Sequence, residues 1–302
     1  MLDTLQGIHL ELTNICTLKC PKCARTKFIE QFPKRWKNYQ LNLENLKSFL
    51  DIPLDKKIFN LCGNYGDPIY YNQLFDLVQW IKQNGAELTL HTNGSFKTRE
   101  WWEQLTSLLD QNDVIVFAID GTPDNFTKYR INADWDSIKI GIDVASKVTK
   151  TIWQFIPFSY NIDSIPIARQ MSIDLGMYEF KILHSSRWDS VNDVYRPPDE
   201  FIASNDKEVK FFTRSSKVNE ISPRCKINNE EHFITAQGFY TPCCFSATHN
   251  FYYKTDFYKN KNAYDISKTT LTQVLNETYD FYKNIETTKP AYCLYSCPKI
   301  ND

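Results

Sequence analysis

The sequence predicts an α/β protein with a partial parallel barrel of six strand–helix units, followed by a small cysteine-rich domain of a β-hairpin and helices. Three observations predict this class. Apolar runs of strand length alternate with amphipathic stretches across about 180 residues. A charged stretch containing "RPP" and "SND" then interrupts the alternation. From residue 225 onward the chain contains five of its nine cysteines.

Six apolar runs are predicted to form the strands of the sheet. They are residues 7–16, 56–63, 87–95, 113–121, 151–158 and 178–184. Strands that are separated by helices pair in parallel through right-handed crossovers. The pattern is therefore typical of a partial (βα)6 TIM-like barrel, whose active site lies at the carboxyl ends of the strands.

The intervening helices are predicted from apolar spacing and from their end signals. They are expected at residues 42–51, 71–85, 134–148 and 164–176, and after Thr98. Asn42 and Thr98 have side chains that suit N-caps. In the helix after Thr98, the stripe expected to face the core is Trp101, Leu105, Leu108 and Leu109. One more helix is predicted near residues 199–213.

The predicted organisation has three parts: a barrel over residues 1–190, a linker over 191–224 and a cysteine-rich domain over 225–302. The aromatic stretch "NFYYKTDFYKNKNAY" (250–264) lies in the last part. Its rings either line a substrate cleft or fill a small core, and the core is the preferred interpretation.

The composition excludes several classes of protein. The 302 residues include 35 basic and 36 acidic side chains, for a net charge of −1 and no long basic run, so nucleic acid is not an expected partner. No apolar stretch is long enough for a membrane span, and no signal peptide is recognisable. A cytoplasmic location is therefore expected. Thiols stay reduced there, so the nine cysteines favour metal or redox chemistry over disulfides.

Three cysteines lie close together in "TNICTLKCPKC" (13–23), namely Cys16, Cys20 and Cys23. Buried free thiols are one interpretation. A structural zinc site is a second, but it needs a fourth ligand, and no Cys or His follows until Cys62. An iron–sulfur cluster is the third, because it is bound by soft thiolates. Three thiolates on a four-iron cube leave one iron open.

This cysteine spacing resembles the signature of the radical S-adenosylmethionine (SAM) superfamily. "GNYGDP" (63–68) resembles that family's glycine-rich loop after the second strand, usually written GGEP. Asp67 stands where Glu is commoner, and two residues are inserted. "HTNGS" and "AIDG…YR" lie where the family has polar groups for the cofactor. The resemblance covers residues 7–185.

The resemblance implies a [4Fe-4S] cluster on the three cysteines and SAM on the open iron, with an electron donor such as flavodoxin or ferredoxin. It implies that the backbone around Gly63, Gly66 and Asp67 binds the methionine amino group of SAM. The other implied SAM contacts are Asn93 and Asp120 to the ribose or amino group, Arg130 to the carboxylate and Gln154 to the ribose. Their alternatives are a turn at Asn93, a surface ion pair for Arg130 and a solvent-facing Gln154. Cys62 is interpreted as a small apolar filler.

The later cysteines surround "EHFITAQGFYTPC" (231–243), which alternates like a hairpin with a turn at Gln237-Gly238. Their spacing resembles the auxiliary-cluster domain of part of the superfamily, in its short form, twitch, rather than the longer SPASM form. The resemblance implies an auxiliary [4Fe-4S] cluster on Cys225, Cys243, Cys293 and Cys297, with Cys244 as a spare. A structural zinc is the alternative. If these four cysteines bind all four irons, the cluster has no open position for substrate, which implies a role in electron transfer.

Three functions stay open from the sequence. The first is a radical SAM oxidoreductase or modifying enzyme that oxidises a small molecule or a peptide. The second is a maturase of ribosomally made peptides, or an epimerase in which Cys62 or Cys244 donates a hydrogen atom. The third is a zinc-stabilised, non-catalytic binding protein. No catalytic base stands out among Asp120, Glu179, His184 and Asp189.

Overall fold

The computed structural model describes residues 5–185, 187–202, 220–227, 232–297 and residue 299. One eight-stranded sheet organises these residues, with the strand order β6-β5-β4-β3-β2-β1-β7-β8. The strands are β1 Gly7–Leu10, β2 Ile58–Leu61, β3 Glu87–Thr92, β4 Val114–Ala118, β5 Lys150–Phe155, β6 Glu179–Ile182, β7 His232–Ile234 and β8 Tyr240–Thr241.

The six predicted strands are confirmed, and β1 to β6 pair in parallel in chain order. Each strand is shorter than predicted. The polar residues included in the predicted runs leave the sheet and form loops at the carboxyl ends of the strands. The carboxyl ends of all six parallel strands therefore lie at one edge, which is where a parallel α/β sheet binds its ligands.

The described α-helices lie between the strands and after the hairpin. They are α1 Ala24–Gln31, α2 Leu43–Phe49, α3 Leu74–Gln83, α4 Arg99–Thr106, α5 Trp135–Ala145, α6 Ile165–Asp174, α7 Arg224–Ile227, α8 Asp256–Lys259, α9 Leu271–Glu277, α10 Tyr279–Thr288 and α11 Ala291–Ser296. The helix α1 was not predicted because it has no buried residue and hence no apolar stripe. Among the described helices, none is both long and apolar enough to cross a bilayer.

The stripe predicted after Thr98 is partly wrong. Thr98 caps α4 as expected, by accepting the backbone N–H of Trp101. Trp102, and not Trp101, is the fully buried ring. It packs against α5 at Gly141, where an added Cβ would lie 2.6 Å from the Trp102 ring. The helix also ends at Thr106, so Leu108 and Leu109 lie beyond it.

The two faces of the sheet differ in chemistry, because alternate residues of a strand point to opposite sides. One face is apolar and packs against the helices through Ile8, Leu10, Phe59, Leu61, Leu88, Leu90, Ile115, Phe117, Trp153 and Phe155. The strand registers place on the second face His9, Asn60, Thr89, His91, Val116, Ile152, Gln154 and Lys181. This second face is mostly polar.

The predicted hairpin is confirmed. Gly238 adopts φ +81° at the turn, and the Thr235 N–H donates to the Phe239 carbonyl at 3.0 Å. Its strand β7 pairs in parallel with β1, so the hairpin extends the main sheet. The domain bounds at 190 and 225 stay predictions. Of the helix predicted near 199–213, only a short 3₁₀ turn at Asp199–Phe201 is described, and the rest lies outside the described residues.

Candidate functional site

Cys16, Cys20 and Cys23 follow β1 and gather in one group with Leu18, Tyr129, Ile156 and Phe158. Burial raises the pKa of Cys16 to about 12, and the neighbouring thiols add to the rise. Such thiols are neutral at pH 7 until a metal displaces their protons. The donor set is therefore three closely placed sulfurs, which fits the three-thiolate side of an iron–sulfur cluster.

Cys16 accepts two hydrogen bonds from its surroundings. The Leu18 backbone N–H donates to its Sγ at 3.4 Å, and the Asn93 side-chain amide donates at 3.7 Å. Hydrogen bonds to cluster sulfurs stabilise the negative thiolate and tune the potential of the cluster. Asn93, which lies just after β3, therefore faces the cysteine group.

The glycine loop (63–68) packs directly on the cysteine segment. A Cβ at Gly66 would lie 1.8 Å from the Thr13 carbonyl oxygen, so a larger residue does not fit. The Asp67 carboxylate is buried, and it accepts the Asn93 backbone N–H at 2.7 Å and the Ile69 N–H at 3.2 Å. The side chain of Asp67 thus holds the loop, and its backbone N–H holds the cysteine segment by donating to the Ile15 carbonyl at 2.9 Å.

Asp120 and Arg130 form a buried ion pair. Arg130 donates from Nε and approaches from Nη2 the same Asp120 oxygen, each at 2.6 Å. The second Asp120 oxygen accepts the Ile156 N–H at 2.8 Å. Burial opposes the charge of Arg130, but Asp120 outweighs burial and raises the pKa of Arg130. Arg130 also faces Cys20, whose pKa is raised by burial and pulled down by this guanidinium.

The structure brings together Cys16, Asp67, Asn93 and Gly66, and it places Gln154 on the polar face of the sheet. Gln154 is half-buried on β5, beside Lys181 of β6 in register. Within the described part of the chain its side chain makes no hydrogen bond. Its predicted contact with the SAM ribose stays a prediction.

Sequence reasoning missed the polar residues of that same face. Asn60 is one, and its Oδ1 is buried without a hydrogen-bond partner among the described residues. His9 and His91 are two others, and burial lowers the pKa of each to about 4. The sequence did contain a pattern that predicts a polar face, because these residues alternate with apolar ones in "GIHLEL", "IFNLC" and "TLHT".

The contacts of the segment after β6 were also not predicted, because its sequence is typical of a linker. Lys22, between the second and third cysteines, pairs with Asp189 at 2.7 Å and with Asp193 at 2.6 Å. Arg187 donates from Nη1 to the Tyr129 hydroxyl at 3.0 Å. This segment therefore packs beside the cysteine group. Lys22 and its two partners are far apart in the sequence, so no local pattern predicts their pairing.

The four later cysteines also lie together. Cys225, Cys243 and Cys293 share one apolar group with Ile221, Tyr282, Ile285 and Tyr292. Burial raises the pKa of Cys293, as do Cys243, Cys225 and Cys297 in that order. The hairpin pattern predicts Cys225 at a strand end, but Cys225 lies in the helix α7. Cys244 is half-buried, outside this apolar group, and its carbonyl accepts the Asn64 side-chain amide at 2.8 Å.

A cluster and a single metal ion need different arrangements of thiols. Among the described Cys, His, Asp and Glu residues, no three are grouped as ligands of one metal ion. Zinc requires its ligands around a single centre. In a cube, each thiolate binds a different iron, which keeps the sulfurs further apart. The two kinds of site therefore differ in how far apart they hold the sulfurs.

Glu11 connects the glycine loop to the hairpin. It is buried at the end of β1, and it accepts the Tyr65 N–H at 2.9 Å and the Ala236 N–H at 3.4 Å. Burial raises its pKa to about 7, against the pull of these backbone donors. The Tyr65 hydroxyl also accepts the His249 N–H at 2.8 Å. Tyr65 of the glycine loop thus contacts both Glu11, at the end of β1, and His249, which follows the hairpin.

The sequence matches the description "Radical SAM superfamily" over residues 10–163, about half of the chain. The chain belongs to the radical SAM superfamily. Members of this superfamily are enzymes, and membership implies a [4Fe-4S] cluster and SAM. The match includes the three early cysteines, the glycine loop, Asp120 and Arg130.

One relative is similar to part of this chain. The tungsten-containing aldehyde ferredoxin oxidoreductase cofactor-modifying protein of Pyrococcus furiosus is 29% identical over 125 residues, which are 39% of this chain and 32% of that protein. The chain therefore spans about a third of that relative.

Solved structures at low identity share the fold. SuiB of Streptococcus suis bound to SAM gives a TM-score of 0.59 at 14% identity, over 87% of this chain and 66% of that one. SuiB bound to its precursor peptide SuiA gives 0.58 at 12% identity, over 91% and 73%. BtrN in complex with AdoMet and 2-DOIA gives 0.51 at 14% identity, over 99% and 95%.

Proposed function

We propose that this protein is a radical SAM oxidoreductase or modifying enzyme that oxidises its substrate and uses an auxiliary cluster to remove the electron. Cys16, Cys20 and Cys23 hold the cluster that binds SAM. The auxiliary cluster is held by Cys225, Cys243, Cys293 and Cys297, in a domain of the twitch or SPASM type. The observation that carries the proposal is the meeting of three thiols, the glycine loop and Asn93 at the carboxyl edge of a parallel sheet.

The reduced cluster, when bound with SAM, supplies a 5′-deoxyadenosyl radical that removes a hydrogen atom from the substrate. The residues of the chain position the participants. Asp120 fixes Arg130 by two of its nitrogens, and the remaining Nη1 has no hydrogen-bond partner among the described residues. That nitrogen can bind the carboxylate of SAM, a group that guanidinium recognises well.

Asn93 and Asp120 have different roles in this proposal from those that the resemblance implied. Asn93 donates to Asp67 and to Cys16, and its Oδ1 accepts the Ser95 N–H at 2.9 Å. Both Asp120 oxygens are bonded within the protein. We therefore assign both residues to holding the cysteine group and Arg130, and leave the SAM ribose to Gln154.

The four later thiols support an electron-transfer role for the auxiliary cluster. A cube bound by four protein sulfurs has no open iron, so it does not bind substrate directly. The Asn64 side chain of the glycine loop donates to the carbonyl of Cys244, the residue after Cys243, so the glycine loop contacts the later cysteine segment. Net oxidation would follow if the substrate radical lost its electron to the auxiliary cluster and a proton to solvent.

Epimerisation is the second candidate function, and one observation favours it. Cys62 follows β2, two residues beyond Asn60, and burial raises its pKa to about 12. A neutral thiol keeps the hydrogen atom that an epimerase must donate to its substrate radical. The expected signature is uptake of solvent deuterium into the substrate, which Cys62→Ala would abolish without stopping SAM cleavage.

The deciding experiment is anaerobic reconstitution with iron and sulfide, followed by dithionite and SAM. Dithionite replaces the proposed donor, flavodoxin or ferredoxin. We expect a brown protein with about eight irons per chain, and formation of 5′-deoxyadenosine measured by mass spectrometry. Cys20→Ser should reduce that formation to background, whereas Cys62→Ala, a cysteine outside both groups, should retain it. A colourless zinc protein would contradict the proposal.

A further inference from the structure

Two adjoining cavities form a groove between residues 28–39 and residues 235–261. Their volumes are about 170 Å³ and 390 Å³. Both are lined by Phe28, Arg35, His249 and Tyr253, so they form one elongated groove. We call it the aromatic–basic groove.

The groove carries uncompensated positive charge. Its cations are Arg35, Lys37, Lys254 and Lys261. None of the four has a carboxylate at ion-pair distance among the described residues, although many other cations of the chain do, such as those in the pairs Lys47–Glu44 and Arg99–Asp143. The acidic residue in the lining is Glu11, whose oxygens face backbone N–H groups. An anionic ligand is therefore favoured.

The rings of the groove favour a peptide over a nucleic acid. Phe28 packs against Trp36 at 5.8 Å and His249 at 5.4 Å between ring centroids, and Trp36 packs against Tyr65 at 6.1 Å. Bases need free ring faces on which to stack. Here the rings are engaged with one another through tilted and T-shaped contacts, and such a cluster suits aliphatic and aromatic side chains.

The groove adjoins the proposed catalytic edge. Tyr65, one of its lining residues, belongs to the glycine loop, and Asn14, another, lies two residues before Cys16. Asn14 also holds the rim of the groove, because it donates to the Lys37 carbonyl and accepts the Tyr39 N–H, each at 2.7 Å. A chain bound in the groove is thus next to the two loops that the reaction uses.

We propose that the aromatic–basic groove binds an acidic segment of a peptide substrate, in which Asp or Glu alternates with aromatic or aliphatic residues. This inference rests on the proposed radical SAM function and specifies its substrate class. The cations pair with the carboxylates, and Arg35 is held for this role over the Phe32 ring, 5.2 Å from its centroid. The apolar side chains of the peptide pack against the aromatic rings of the groove.

The test is fluorescence anisotropy on the reconstituted protein, with a short fluorescein-labelled peptide of alternating Glu and Phe as the probe. A peptide of alternating Lys and Phe and a single-stranded RNA are the comparison probes. We expect the acidic peptide to bind best, and Arg35→Glu and Lys261→Glu each to weaken it roughly tenfold. Lys139→Glu is the matched control, since Lys139 is exposed on α5 outside the groove, and it should leave binding within about twofold.

Three results would overturn the inference: no preference for the acidic peptide, tighter binding of the RNA, or equal weakening by Lys139→Glu. Circular dichroism of each variant verifies folding, and all three positions are exposed. The SAM-cleavage assay on the same preparation separates the two proposals. Protein that forms 5′-deoxyadenosine but does not bind the peptide contradicts this inference alone.

Discussion

The two cysteine groups of this protein differ in what surrounds them. The early group has polar and charged neighbours, because Asn93 donates to Cys16 and Arg130 faces Cys20. Three thiols of the later group pack among aliphatic and aromatic side chains such as Tyr282 and Ile285, and two of its four thiols contact serine hydroxyls. The causes that act on the pKa of Cys293 are burial and other thiols, and all of them raise it.

The difference supports the proposed assignment of SAM binding to the early group. An early group of three thiols, beside a guanidinium and a glycine loop that offers backbone groups, is built to accept a charged ligand at the remaining position. The later group has four thiols, three of them in an apolar cluster, and the cube proposed there needs no further ligand. This contrast supports the proposed division, with catalysis at the first group and electron transfer at the second.

The largest expected effect is on the second cluster. Cys293→Ser should lower the iron content from about eight to about four per chain, because a cube lacking one thiolate ligand is poorly held. Formation of 5′-deoxyadenosine should persist, while oxidised product is lost. Iron analysis and mass spectrometry measure both, with Cys244→Ser as the matched control. If folded Cys293→Ser protein no longer forms 5′-deoxyadenosine, the proposed division of roles between the two groups is wrong.

The ion pairs near the two groups should differ in their contribution to stability. Arg130→Ala leaves the buried Asp120 unpaired, and we expect it to lower the free energy of unfolding by about 4 kcal/mol. Near the second group, Lys226→Ala removes an exposed pair with Glu286 at 3.1 Å, which should cost less than about 1 kcal/mol.

Urea denaturation of the apoprotein measures both changes in free energy. The double variant Arg130→Met with Asp120→Asn controls for the unpaired charge, and it should recover part of the loss. Equal effects of Arg130→Ala and Lys226→Ala would show that the charge at the first group is not buried as the structure describes.

A smaller, pH-dependent effect is expected at the second group. Burial lowers the pKa of His232 to about 4, and its ring lies 2.7 Å from the hydroxyl of Tyr240. The unfolded imidazole, with a pKa of about 6.5, binds a proton first as the pH falls, so folding stability decreases below about pH 6.5. From pH 7 to pH 5 this histidine should contribute a loss of about 2 kcal/mol.

Urea denaturation at the two pH values, compared with His232→Gln, isolates that contribution. The variant should lose less stability on acidification than the native protein does. His9 and His91 act in the same direction and serve as the common background of both proteins. An unchanged pH dependence in His232→Gln would mean that this imidazole is solvated in the folded state.

Local signals in the sequence predicted much of the fold. The Asn42 side chain accepts the Asn45 N–H at 2.9 Å, as its position before an apolar stripe indicated. The Gly238 turn and the alternation of strands and helices were equally visible, because each depends on neighbouring residues only. The choice of Trp102 over Trp101 was not visible, since it depends on the space at Gly141 of another helix.

The sequence by itself determined the parallel α/β order, the two sets of cysteines and the glycine loop, because periodicity and spacing along the chain encode them. Only the tertiary structure decided that β7 pairs with β1, that Asp120 holds Arg130 and that Lys22 binds the segment after β6. The physical reason is that these contacts join residues whose meeting depends on how the whole sheet packs. The aromatic–basic groove is likewise decided by the tertiary structure, because its two sides, residues 28–39 and 235–261, are far apart in the sequence.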